Sequence, residues 1–231
     1  MNTEKFTGKA HSYAKARPSY PDEALEYIHN LAPPGSVFAD IGAGTGKFTV
    51  LLARYGYEMF AVEPNADMRE QLAVELASFP DIKVIDGTAE ATTLLNHSVD
   101  IIVFAQALGW FALSDFRKEC HRIGKPGVIL ISVYNEMLGD NSTPNRNRLS
   151  NKQATNIFFK TPTMREFPNP VFYTREKWLS YNASISDNPN LSDDGYDEHI
   201  AEINSIFDRE NIDGLLHRAL TTKVFVERTA K

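Results

Sequence analysis

Val37-Phe38-Ala39-Asp40-Ile41-Gly42-Ala43-Gly44-Thr45-Gly46-Lys47 decides the fold. An apolar run ends in an acid and passes directly into three alternate glycines, the pattern of a β-strand that turns sharply into a helix and lets a nucleoside-bearing ligand approach the backbone. A second apolar run, Met59-Phe60-Ala61-Val62, ends in Glu63, where an acidic side chain accepts both ribose hydroxyls of a ligand lying across the turn. A dinucleotide fingerprint needs a third glycine where this chain has Lys47, and a P-loop needs Gly and Ser or Thr where it has Ile41 and Phe48, so both pyrophosphate and triphosphate cradles fail. What survives is a turn suited to a nucleoside without phosphates. The glycines alone would equally serve a tight turn; Glu63 and the segments that follow weigh against that bland reading.

The surrounding chain alternates strand and helix signals. Residues 1–21 form a polar, aromatic leader ending in Arg17-Pro18-Ser19-Tyr20-Pro21, and Leu25, Ile28 and Leu31 then fall at helical spacing before Pro33-Pro34-Gly35 stops the helix. After the glycine turn the pattern predicts a helix near 46–55, a strand over 58–62, a helix near 66–78 and a short strand over 82–85. Next come a connecting stretch over 88–97, a strand over 100–104, a helix near 114–122 and a strand over 128–134. Strands apolar at nearly every residue imply a parallel sheet covered on both faces. Asn, Pro, Thr and Arg dominate from 135 onward, with a helical patch over 153–159, so an insertion over 135–173 after the fifth strand is expected to help build the site. Val171-Phe172-Tyr173 and the stretch 220–227 are expected to close the sheet as an antiparallel edge, with helices near 175–182 and 196–210 between them. The expected fold is therefore an α/β, doubly wound, mostly parallel seven-stranded sheet, formed by a single domain over 1–231.

Composition narrows the function. At 231 residues and 42% hydrophobic content the chain can bury a full core, and a net charge of -6 with a pI near 5.5 argues against a nucleic-acid partner. Cys120 is the only cysteine, the first fifteen residues contain no apolar signal core, and the apolar run 101–113 is interrupted by Gln106. A cytoplasmic protein that neither enters a membrane nor carries an internal disulfide is expected. Glycosylation triplets at Asn141, Asn182 and Asn190 carry no weight without secretion. The six histidines show no metal-ligating spacing, His121 beside Cys120 included, and the acidic run 192–198 lacks the spacing of a calcium loop, so no metal is expected.

Together these segments resemble the class I S-adenosylmethionine-dependent methyltransferases over essentially the whole chain. Asp40 to Gly46 is similar to the family's first motif, Val62 to Arg69 to its ribose-binding motif, and Asp86-Gly87-Thr88-Ala89-Glu90 to the stretch beside the adenine. Ala105 to Phe111 resembles the segment lining the methyl-transfer cavity, and Arg122 to Gly127 the Lys-Pro-Gly turn before the fifth strand. The leader from Tyr13 to Pro21 resembles that of the small-molecule branch related to trans-aconitate and quinone-biosynthesis methyltransferases.

The resemblance implies a Rossmann-like fold and S-adenosylmethionine as cofactor, with S-adenosylhomocysteine as product. In it Asp40, Gly42, Ala43 and Gly44 approach the methionine part, Glu63 and Pro64 the ribose, and Met68, Thr88, Ala89 and Glu90 the adenine. The backbone of Gln106, Ala107 and Leu108 holds the ammonium, Tyr13 and Arg17 fold over the cofactor as part of a lid, and Trp110 faces the acceptor. Many relatives have His at the position of Gly109. A small-molecule acceptor is implied, with the chain a monomer or homodimer.

If the acceptor needs deprotonation, Tyr134 at the carboxyl end of the fifth strand, Tyr20 and His11 are the candidate bases; Tyr134 also counts as a substrate-side residue. Packing and exposure are the bland readings for Tyr134 and His11. Amino-methylating enzymes of nucleic acids usually carry Asn or Asp, Pro-Pro and an aromatic where this chain has Ala105-Gln106-Ala107-Leu108, which argues against them. A catalytically inactive cofactor-binding partner or regulatory protein is the alternative, kept open by Gly109.

Overall fold

The computed structural model describes residues 17–137, 149–185, 188–189 and 191–230. Helix α1 (Asp22–Leu31) leads into β1 (Val37–Ile41), α2 (Lys47–Ala53), β2 (Glu58–Val62), α3 (Ala66–Glu75), β3 (Ile82–Ile85) and β4 (Val99–Ala105). A short 3-10 turn (Leu108–Trp110), α4 (Leu113–Ile123) and β5 (Gly124–Met137) follow. The remainder supplies α5 (Asn151–Phe158), β6 (Thr163–Pro168), β7 (Val171–Tyr173), α6 (Arg175–Ala183), α7 (Tyr196–Glu210), β8 (Leu216–Arg218) and β9 (Leu220–Arg228).

Seven strands form one sheet in the order β3-β2-β1-β4-β5-β9-β6. The first five are parallel, and β9 runs antiparallel to both β5 and β6. The chain winds outward from β1 to β3, then crosses back to place β4 on β1's other side, so the strand order reverses between β1 and β4. In open α/β sheets that reversal leaves a crevice outside the carboxyl ends of the strands, where ligands collect.

Side chains alternate between two cores because successive residues of a strand face opposite ways. Phe38, Met59, Ile101, Val103 and Ile131 pack with Ile28 of α1 and Leu52 of α2 on one face. Ile102, Phe104 and Leu130 pack with Phe116 of α4 and Phe158 of α5 on the other. Phe104 lies edge-on to Phe116 and Phe158 with ring centroids 5.2 and 5.4 Å away. Cover on both faces explains why these strands read as unbroken apolar runs. Among the described residues, no helix is long and apolar enough to cross a membrane.

The sixth strand corrects the reading of the sequence. Val171–Tyr173 does not join the main sheet; it pairs with β8 as a separate two-stranded ribbon. The edge position beside β9 belongs to Thr163–Pro168 instead, a mostly exposed strand whose terminal Pro168 is tolerated because an edge needs no further ladder partner. Tyr173 turns into a small core of its own with Trp178, Ile203, Phe207 and Leu216. The stretch 135–173 thus includes the end of β5, helix α5 against the sheet, β6 and β7, and β7 joins α6, α7 and β8 in an extra unit between β6 and β9.

Candidate functional site

Chain geometry at the end of β1 builds the turn. The N–H groups of Gly42 and Ala43 both donate to the Val62 carbonyl, at 2.9 and 3.1 Å, tying the bend to the end of β2. Gly42, Gly44 and Gly46 have φ of 72°, 59° and 88°, a region that side-chain-bearing residues rarely occupy. Space separates their roles. A Cβ on Gly42 would lie 2.8 Å from Cβ of Ala107 and one on Gly46 2.7 Å from the Leu72 side chain, whereas a Cβ on Gly44 would meet nothing within 4 Å.

Glu63 closes over this opening. Its Oε2 accepts the Gly44 N–H and its Oε1 the Asn65 N–H, both at 2.9 Å. The residue is 8% exposed. Burial pushes its pKa up, opposed by the two backbone donors and then by Arg69. Each carboxylate oxygen keeps a second lone pair, so two hydroxyl donors can still be accepted. Arg69 braces the segment, donating to the carbonyls of Glu63 and Pro64 and pairing with Asp86 at 2.9 Å. Asn65 caps α3 by accepting the N–H of Met68. Beyond β3, Thr88 and Ala91 exchange backbone hydrogen bonds across a tight turn that holds buried Ala89, and Glu90 accepts the Ala112 N–H at 2.8 Å.

A cavity of about 200 Å³ opens in the crevice. Asp40, Gly42 to Thr45, Gln106, Trp110 and Asn151 line it on the sheet side, and Arg17, Tyr20, Lys47, Asn135 and Tyr181 line it elsewhere. Asp40 is 1% exposed. Its Oδ2 accepts the Thr49 hydroxyl at 2.7 Å, while its Oδ1, like Thr45 Oγ1, is buried without a hydrogen-bond partner. Burial raises its pKa to about 7 despite Thr49, with the negative charge of Glu63 adding to the rise. Gln106 holds a left-handed φ of 56° at the end of β4, and its Oε1 accepts Nδ2 of Asn151 at 2.7 Å, whose Oδ1 accepts the Gly109 N–H at 3.2 Å.

The segment 17–20 straps across this crevice. Arg17 donates to the Ser184 carbonyl at 2.9 Å, and its guanidinium lies 5.6 Å from the centre of the Tyr181 ring. The ammonium of Lys47 donates to the Arg17 carbonyl. Ser19 offers its carbonyl to Nδ2 of both Asn135 and Asn169, at 3.1 and 2.8 Å. Tyr20 meets Phe48 edge-on with centroids 4.9 Å apart.

Several expected site residues fall elsewhere. Tyr134 does not line this cavity; it is 3% exposed, stacks on Phe225 at 5.8 Å, and burial raises its pKa to about 12. Alternation along β5 sends Asn135 and Met137 into the cavity and Tyr134 toward the opposite face. Of the segment 106–108 only Gln106 lines the cavity, since Leu108 belongs to the core and Ala107 packs under Gly42. Tyr13 and His11 lie outside the described residues. Lys47, Asn135, Asn151 and Tyr181 were not singled out by the sequence. Lys47 follows the glycines directly and Asn135 directly follows the strand expected over 128–134, both legible signals, but Asn151 and Tyr181 reach the site only through tertiary packing.

Residues 39–132 match the methyltransferase domain family model. An uncharacterized methyltransferase of Mycobacterium tuberculosis is 33% identical over 158 residues, covering 63% of this chain and 63% of that protein. The malonyl-[acyl-carrier protein] O-methyltransferase of Methylococcus capsulatus is 33% identical over 109 residues, 46% of this chain and 40% of its own. The chain thus aligns with less than two thirds of the length of these curated relatives. A solved protein of Anaeromyxobacter dehalogenans, provisionally assigned as a type II methyltransferase, superposes with a TM-score of 0.69 at 21% identity over 93% of this chain and 97% of that one. The chain therefore has the Rossmann-like α/β fold of the class I methyltransferases, and its segment 39–132 is similar in sequence to their methyltransferase domain.

Proposed function

We propose that the protein is an S-adenosylmethionine-dependent methyltransferase acting on a small-molecule acceptor. One observation carries the reading: the Glu63 carboxylate is held by the Gly44 and Asn65 N–H groups beside the open space at Gly44, with acceptor capacity left for two ribose hydroxyls. The residues present fit the cofactor. Asp40 Oδ1 and Thr45 Oγ1, buried and unsatisfied on the cavity wall, are acceptors suited to a polar, cationic headgroup. Arg17 suits a carboxylate. Bound there, the cofactor supplies an electrophilic methyl on a sulfonium, so no protein nucleophile is needed.

The chain's own part is to orient and to exclude water. The strap at 17–20, pinned by Lys47, Asn135 and Asn169, covers the crevice, which supports the leader 1–21 acting as a lid. From the stretch 135–173, Asn135, Met137 and Asn151 line the cavity, which supports a share in acceptor binding. The leader's likeness to that of trans-aconitate and quinone-biosynthesis methyltransferases further supports a small-molecule acceptor. Incubation with methyl-labelled S-adenosylmethionine and a pool of cell metabolites tests the reading. Release of S-adenosylhomocysteine with label in a small molecule is expected; retention of cofactor without product release would contradict it and favour a binding protein.

A further inference from the structure

Gln106 is held in a strained backbone conformation on the cavity wall. Its φ of 56° is left-handed, a conformation that glycine takes freely and that a residue with a long side chain adopts at a cost. Both its backbone and its side chain are pinned. The backbone N–H donates to the Val133 carbonyl at 2.8 Å, and the side chain meets Asn151 at 2.7 Å. Asn151 opens α5, a helix started by a capping box at Ser150 and anchored by buried Ala154, Thr155 and Phe158. Both amides line the cavity.

Backbone groups at the two ends of this chain of amides fix which way each one points. The Gly109 N–H can only donate, so the Asn151 atom 3.2 Å from it is the oxygen. The Asn151 NH₂ therefore faces Gln106 and meets its Oε1. That places the Gln106 NH₂ on the side of the Asn135 carbonyl, which can only accept. Turning the Gln106 amide over would set NH₂ against NH₂ at Asn151 and oxygen against oxygen at Asn135. The last link is 3.5 Å long, at the limit of a hydrogen bond. One Nε2 hydrogen is thus weakly held, and the other has no acceptor among the described residues. The result is a one-way relay, from the Gly109 N–H through Asn151 to Gln106, that delivers an uncharged donor to the cavity wall.

We propose that Gln106 Nε2 holds an uncharged carbonyl oxygen of the methyl acceptor, and that Asn151 is a positioning residue that sets the polarity of the Gln106 amide. The inference rests on the methyltransferase reading and names the residues that select its acceptor. A wall built to donate penalises a ligand that cannot accept, because the amide is then left unpaired. No bond forms or breaks in this contact; it orients the acceptor.

A polarity swap tests the relay. Aliphatic and aromatic ketones, each paired with the secondary alcohol of the same skeleton, are titrated by NMR into protein saturated with S-adenosylhomocysteine. Wild type, Asn151→Asp, Gln106→Met and the double variant are compared, with thermal melts to show that each folds; either single variant alone carries the ketone-to-alcohol comparison. A ketone can only accept a hydrogen bond, whereas an alcohol can also donate one. In Asn151→Asp both side-chain oxygens accept, so the Gln106 amide turns its NH₂ toward position 151 and its oxygen toward the cavity. At least one ketone should bind wild type, and bind about two- to tenfold more weakly in Asn151→Asp and in Gln106→Met, while its partner alcohol loses less. In the Gln106→Met background, Asn151→Asp should change ketone affinity no further. S-adenosylhomocysteine affinity should stay near that of wild type throughout. Ketone and alcohol weakened alike, or an Asn151→Asp effect that persists in the double variant, would overturn the proposal by showing a general loosening of the site. So would a loaded wild type that binds no ketone, or variants that lose S-adenosylhomocysteine affinity instead. Failure of wild type to bind S-adenosylhomocysteine at all would sink the methyltransferase reading itself.

Discussion

Replacing Glu63 by Gln probes the site with little change of shape. Both carboxylate oxygens accept backbone N–H groups at 2.9 Å and the residue is 8% exposed. The amide keeps one acceptor oxygen but turns an NH₂ toward a backbone donor, so the variant loses a charge-assisted hydrogen bond within the fold and one or both to ribose. A hydrogen bond to a charged group contributes about 1.5–3 kcal/mol, so losing one to the ligand weakens S-adenosylhomocysteine binding by about tenfold to more than a hundredfold. Isothermal titration of wild type and variant measures it, with thermal melts showing that the variant folds. A second ligand sharpens the test. An analogue lacking both ribose hydroxyls should bind wild type and Glu63→Gln about equally, because the energy in question arises only where the hydroxyls are present. A folded Glu63→Gln protein that binds S-adenosylhomocysteine as tightly as wild type would refute the assignment of Glu63 to the ribose.

Gly44→Ala should fold, since its Cβ points into open space, with only the strain of φ 59° against it, about 1–2 kcal/mol; calorimetry should nonetheless show weakened cofactor binding because the methyl occupies the approach. Gly42→Ala should melt well below Gly44→Ala, its Cβ falling 2.8 Å from Ala107 at φ 72°, and equal melting temperatures would contradict the contact. Asp40 has its pKa raised from 3.8 to about 7 in the fold, so the folded state holds a proton that the unfolded chain releases. Its contribution is favourable at low pH, declines as pH rises from about 4 and is lost above about 7. With about 1.4 kcal/mol per pH unit between the two values, the cost at pH 8 is at most about 4 kcal/mol. Asp40→Asn should therefore melt above wild type at pH 8, with a smaller advantage at pH 5, in melts without ligand; a pH-independent difference would contradict it. Tyr134→Phe keeps the stack on Phe225 and should leave kcat and KM unchanged, whereas a loss of about a hundredfold would restore Tyr134 as a base.

The central part of this fold is legible because its physics is local. The strand at 58–62 agrees with β2 residue for residue, and the apolar run from Val37 into the glycines is β1, since cover on both faces forces unbroken apolar runs and the glycines mark the turn. The edge is a different matter. Thr-Met-Arg-Glu-Phe-Pro carries no strand signal because β6 is exposed and pairs on one side only, while Val-Phe-Tyr at 171–173 reads as a strand of the main sheet yet buries Tyr173 against α6 and α7. The juxtaposition of Gly44 and Glu63 follows from parallel pairing of β1 with β2, so spacing alone reveals it. Tyr134 and Asn135 show the limit: one residue of register decides which of them meets the cavity, and an apolar strand gives no period from which to read that. Asn151 and Tyr181 arrive from helices whose docking no local pattern encodes.

The account turns on where an adenosyl group sits. A crystal structure of the protein with S-adenosylhomocysteine tests this most directly. It should show the ribose 2′ and 3′ hydroxyls within about 3 Å of the two Glu63 oxygens and the ligand's backbone-proximal atoms against Gly44. A ligand seated elsewhere, or ribose hydroxyls turned away from Glu63, would contradict the account.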